Sequence, residues 1–69
     1  MPFVKIEVTR EGVTTEQKRQ LIKGATQLLQ DVLGRDPHLT HVVIGEVDTD
    51  NWGVAGEQVT EIRKNKSNN

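Results

Sequence analysis

One broad apolar stripe, with a single β-branched run on either side, restricts this chain to very few folds. Leu21, Ile22, Ala25, Leu28, Leu29, Val32 and Leu33 recur at spacings of three, four and one. That spacing collects them on one side of an α-helix wide enough to pack on a sheet. Thr14 followed three residues later by Gln17 is a capping-box pattern, so the helix is expected to begin there. Gly34 in the C′ role, with Pro37 shortly after, ends it. Before the helix, Val4, Ile6 and Val8 alternate with Lys5, Glu7 and Thr9. This is the period of a strand with one buried face, from Phe3 to Thr9. Arg10, Glu11 and Gly12 break the pattern with turn chemistry. After the helix, Thr40 to Val47 is rich in β-branched residues and reads as a second strand, and Asp48 to Asn51 reads as a turn. Trp52 to Gly56 suits a short hairpin, and Glu57 to Arg63 holds a last short element of open type.

Strand, helix and strand in that order predict an α+β chain: a single βαβ unit with parallel strands, plus a short C-terminal hairpin. Residues 1–63 form the expected domain, and 64–69, where Lys64 and Lys66 are diluted by Asn and Ser, read as a disordered tail. Two strands do not make a stable sheet. One helix covers one face, so the sheet is expected to be completed by oligomerisation. Sixty-nine residues support only a small core, and such domains need added staples. The chain has no cysteine, which excludes disulfides and suits a reducing, cytoplasmic setting. His38 and His41 stand three apart without a ligand cluster, so no metal is expected. Self-association remains as the stabiliser, and a homo-oligomer is the expected partner arrangement.

A net charge of −1 gives no electrostatic reason to expect nucleic acid or an anionic membrane as partner. No apolar run approaches bilayer length, and the N-terminus lacks a secretory signal pattern.

Three segments carry a resemblance: Met-Pro-Phe-Val-Lys-Ile at residues 1–6, Thr-Glu-Gln-Lys-Arg-Gln-Leu-Ile at 15–22, and Asn-Trp-Gly-Val-Ala-Gly-Glu at 51–57. In this order and at this length the chain resembles the 4-oxalocrotonate tautomerase family, from Pro2 to about Arg63. The resemblance implies a βαβ subunit assembled into a hexamer, or a trimer-like variant of it. It also implies cofactor-free isomerase chemistry on small carboxylates such as 2-hydroxydienoates and 2-oxo acids, as in aromatic hydrocarbon catabolism. Pro2, freed by removal of Met1, is then the catalytic base. A secondary amine is largely protonated in water, but desolvation and nearby cations lower its pKa toward the working pH. The plain alternative is that Pro2 merely enters a first strand.

The family holds substrate carboxylates with arginines, whose guanidinium makes two parallel charge-assisted bonds. This chain departs from that pattern: the usual positions fall on Val13 and on or beside His41. Arg10, at the end of the first strand, is the available replacement. Its alternative is a solvated turn residue paired with Glu11 or Glu7. His41 either donates to substrate or lies on the exposed strand face. Trp52 falls where the family has an aromatic pocket wall, a role compatible with an interface or core anchor. Glu57 matches a family glutamate and reads as structural. Glu16, Lys18, Arg19, Lys23, Gln27 and Gln30 are expected on the solvated helix face. Two other readings stay open. A hydratase or dehalogenase of 3-haloacrylate-type acids would need Glu7 or Glu11 to activate water. A non-catalytic assembly module would be consistent with Val13 and His41.

Overall fold

The structure is a computed structural model that describes residues 1–67, with side chains through Asn65. Strand β1 (Phe3–Thr9) leads to helix α1 (Thr15–Leu33), which returns the chain to strand β2 (His41–Val47). A hairpin follows, made of β3 (Gly53–Val54) and β4 (Glu57–Gln58), and helix α2 (Val59–Ser67) closes the sequence of elements. β1 and β2 are parallel, in register from Phe3 opposite His41 to Thr9 opposite Val47. The βαβ unit and hairpin expected from the sequence are therefore present.

The helix ends obey local chemistry. At the start of α1 the Thr14 hydroxyl accepts from the Gln17 N–H at 3.0 Å, and the Gln17 side chain accepts from the Thr14 N–H at 2.9 Å. Both halves of the capping box are thus made. At the other end Gly34 takes φ 65°, a left-handed conformation that glycine adopts without a Cβ clash, and its N–H reaches the Gln30 carbonyl at 2.9 Å. The chain then turns through a short 3₁₀ segment, Pro37–Leu39, capped by the Asp36 carboxylate accepting from the His38 N–H.

Register decides what each face of the sheet carries. Val4, Ile6 and Val8 stand opposite Val42, Ile44 and Glu46, and these six are half-buried beneath α1. On α1 itself, Ala25 and Leu29 are half-buried, whereas Leu28, Val32 and Leu33 remain exposed. A two-stranded sheet is about 5 Å across between strand axes, so it underlies only part of the predicted stripe. Lys18 corrects the sequence expectation that it lies on the solvated face. It is half-buried and its ammonium pairs with Glu46, because the stem of a lysine covers apolar surface while its head seeks a carboxylate.

The opposite sheet face is open. Phe3 is 64 % exposed and Val43 45 % exposed, and among the described residues only Val59, at 4 %, is buried. Val59 opens α2 and donates its N–H to the Trp52 carbonyl at 2.8 Å, tying that helix to the hairpin base. The element of open type between Glu57 and Arg63 is thus a two-residue strand passing directly into α2. This helix continues to Ser67, beyond Lys64, where the tail was expected to start. Asn68 and Asn69 lie outside the described residues. The radius of gyration is 15.7 Å, against about 11 Å for a compact chain of this length.

Candidate active site

Pro2 directly precedes β1 and is half-buried. Its carbonyl accepts from the His41 N–H at 3.0 Å, which continues the parallel ladder by one step and fixes the backbone of Pro2. Pro2, Met1, Leu33 and Arg35 line one concavity of about 260 Å³. The end of α1 supplies Leu33, and the Gly34 cap reverses the chain so that Arg35 comes to the same place. With Met1 attached, the Pro2 nitrogen is an amide; once Met1 is removed it is a secondary amine beside a cation and an apolar side chain.

The remaining sequence candidates lie elsewhere. Arg10 follows the other end of β1, eight residues on from Pro2, which at strand rise is about 26 Å away. Its Nε donates to the Asp48 carboxylate at 2.8 Å, rather than to Glu11 or Glu7, and a second guanidinium nitrogen lies 3.5 Å from the Glu46 carbonyl. Trp52 is half-buried and lines a larger concavity of about 470 Å³ with Val8, Thr9, Val54 and Arg63. Glu7 borders the same space and pairs with Lys5 at 3.3 Å.

His41 is the only candidate brought to the Pro2 end by the fold, and it arrives through its backbone. Its side chain shares the open face with Phe3, its partner in the register. Within one chain, then, Pro2 stands at one end of β1 and Arg10 and Trp52 stand at the other.

Glu11 is held by Arg63 at 2.7 and 3.3 Å and by the Thr9 hydroxyl. The Arg63 hydrogen bond, followed by that from Thr9, lowers its pKa below the ordinary glutamate range. Lys18 does the same for Glu46. Val13 lines an apolar concavity with Gln17, Gln20 and Leu21.

Sequence reading passed over Arg35. It sits in the connection between helix and strand, a place that reads as turn chemistry, and only the Gly34 reversal gives it a position beside Pro2.

Pro2 thus stands at the head of the first strand of a small βαβ subunit. Residues 2–62 match the family described as tautomerase enzyme. The probable tautomerase K2 of Dickeya dadantii is 61 % identical over 67 residues, spanning 97 % of this chain and all of the relative. The 2-hydroxymuconate tautomerase of Pseudomonas putida is 37 % identical over 62 residues, covering 90 % of this chain and 97 % of its own. The crystal structure of DmpI from Helicobacter pylori superposes with a TM-score of 0.87 at 42 % identity, covering 91 % of this chain and 97 % of that one. The chain belongs to the tautomerase enzyme family. It is an isomerase of the 4-oxalocrotonate tautomerase type, as its three sequence segments imply.

Proposed function

We propose that this protein is a cofactor-independent keto–enol tautomerase of small unsaturated 2-hydroxy and 2-oxo carboxylic acids, with the Pro2 amine as general base and acid. The observation that carries the reading is the setting of Pro2: pinned by His41, half-buried, and sharing its concavity with Leu33 and Arg35. The neutral amine takes the proton of the substrate 2-hydroxyl. The electron pair left on oxygen forms the C2 carbonyl, and the conjugated double bonds shift toward a distal carbon. The protonated amine then returns its proton to that carbon, so the reaction is a net isomerisation. An anchored carboxylate holds the substrate in place through these two transfers.

The working form is a homo-oligomer, with a hexamer favoured. Phe3, Val43, Leu28 and Val32 leave apolar surface uncovered in the single chain, and the base lies about 26 Å from Arg10. A neighbouring chain running the other way would present its Arg10 and Trp52 to Pro2, anchoring a carboxylate and walling the pocket against water. Residues 1–63 supply these parts, and His41 completes the set on the Pro2 side. The reading extends to a cytoplasmic enzyme acting on products of aromatic ring breakdown, in keeping with the substrate named for the Pseudomonas putida relative. No described helix is long and apolar enough to cross a membrane.

The test is Pro2→Ala, assayed with 2-hydroxymuconate and phenylenolpyruvate. A positioned general base is worth about a hundred-fold or more in rate, so turnover is expected to fall by at least that factor while the assembly persists. Turnover close to that of the unaltered protein would overturn the reading.

A further inference from the structure

Arg35 is a cation delivered to the proposed base and, among the described residues, left without a counter-ion. Lys5, Arg10, Lys18, Arg19 and Arg63 each pair with a carboxylate. No ion pair or side-chain hydrogen bond among the described residues engages the Arg35 guanidinium. The two acids nearest to it in sequence are occupied. Asp36 accepts from the His38 N–H at 2.9 Å and lies 3.1 Å from the His38 ring nitrogen, while Asp31 accepts from Gln27 at 2.8 Å. Asp36 therefore caps its own turn and does not neutralise its neighbour.

The placement of Arg35 is built into the chain. The Gly34 cap at φ 65° reverses the direction of α1, and the Asp36-capped 3₁₀ turn that starts at Pro37 holds the next residues. Between them Arg35 lines the Pro2 concavity together with Leu33. Arg10, the arginine suggested by sequence, is committed to Asp48 at the far end of β1. A guanidinium with unused donors, beside an amine that must meet an anionic substrate, is suited to a carboxylate.

We infer that Arg35 binds the substrate carboxylate within the same subunit that supplies Pro2, setting the reacting carbon and oxygen against the amine. This rests on Pro2 being the reactive amine and adds a residue that specifies anionic substrates. An Arg10 from a neighbouring chain is left to hold the far end of a diacid.

The experiment compares two alkylating reagents that differ in charge. 3-Bromopyruvate carries a carboxylate; bromoacetone has the same reactive carbon and no charge. Labelling of Pro2 is followed by mass spectrometry in the unaltered protein, Arg35→Gln and Arg35→Lys. A charge-assisted contact predicts that Arg35→Gln slows labelling by 3-bromopyruvate about ten- to a hundred-fold. Labelling by bromoacetone should stay within about two-fold, and Arg35→Lys should recover part of the loss. Equal effects on the two reagents, or no effect on either, would overturn the role of Arg35 and leave the amine standing. A Pro2 that neither reagent labels in the unaltered protein would remove both the amine and the inference built on it.

Discussion

The His41 N–H and the Pro2 carbonyl meet at 3.0 Å, so the residue that begins β2 holds the backbone of the residue before β1. This single bond extends the parallel ladder one step past Phe3 and His41. It ties Pro2, which lines its concavity, to the sheet instead of leaving it on a loose terminus. Arg10 makes the matching bond at the other end, its N–H reaching the Val47 carbonyl at 2.8 Å. The two ends of β1 are thus held alike, one presenting the proposed base and the other a cation, and the strand's length keeps them apart.

That separation predicts complementation between defective chains. Pro2→Ala and Arg10→Ala proteins, each impaired alone, are unfolded together in equal amounts and refolded into mixed assemblies. If each site takes Pro2 from one chain and Arg10 from another, random mixing restores about a quarter of the sites. Activity should rise well above the mean of the separate variants. Strict averaging of the two parents would show that Arg10 does not serve a neighbour's base.

Ala55 carries a second prediction. The hairpin turns through Ala55 at φ 53° and Gly56 at φ 85°, and positive φ at both central residues marks a type I′ turn. Ala55 bears a Cβ penalty that a glycine would not. Ala55→Gly should therefore raise stability by about 0.5–1 kcal/mol, after the greater flexibility of glycine in the unfolded chain is offset. Chemical denaturation of the assembled protein at fixed concentration checks this, and a lower midpoint would argue against the strained turn.

Acid sensitivity follows from Glu11 and Glu46. Hydrogen bonds from Arg63 and Thr9 depress the first, and one from Lys18 depresses the second. Their folded pKa values lie below the unfolded ones, so the stabilisation is fully present above the unfolded value. It is lost as pH falls through the folded value. Both carboxylates keep part of their surface in solvent, which keeps each effect modest. Melting temperature should drop as pH falls below the ordinary glutamate range, and Glu11→Gln should flatten part of that decline. An acid limb identical in the variant and the unaltered protein would exclude a role for Glu11.

Much of the fold was legible because its signals are local. Val4, Ile6 and Val8 alternate within seven residues, Thr14 and Gln17 announce a cap within four, and Gly34 stops the helix it ends. The type of the last element was not legible. Glu57 and Gln58 form the second strand of the hairpin, and Val59, the one buried residue among those described, immediately starts a helix. Lys18 was assigned to the wrong face because its partner, Glu46, lies 28 positions away and is brought near only by the packing of α1 on β2. The partner of Arg10 was missed for the same reason, since Asp48 is 38 positions distant. Pro2 was legible as a candidate base, whereas the cation beside it was not legible at all. Pro2 is recognisable at its position in the chain, whereas Arg35 acquires its place only through the reversal at Gly34.

The central claim is that Pro2 works as a free amine held partly neutral in an assembled pocket. Nitrogen NMR of protein labelled at proline tests it most directly, following the Pro2 resonance as pH is raised through neutrality. A secondary amine titrating well below the range of an exposed proline terminus is the predicted result. A proline amide that does not titrate, or an amine with the pKa of a solvated terminus, would contradict the account.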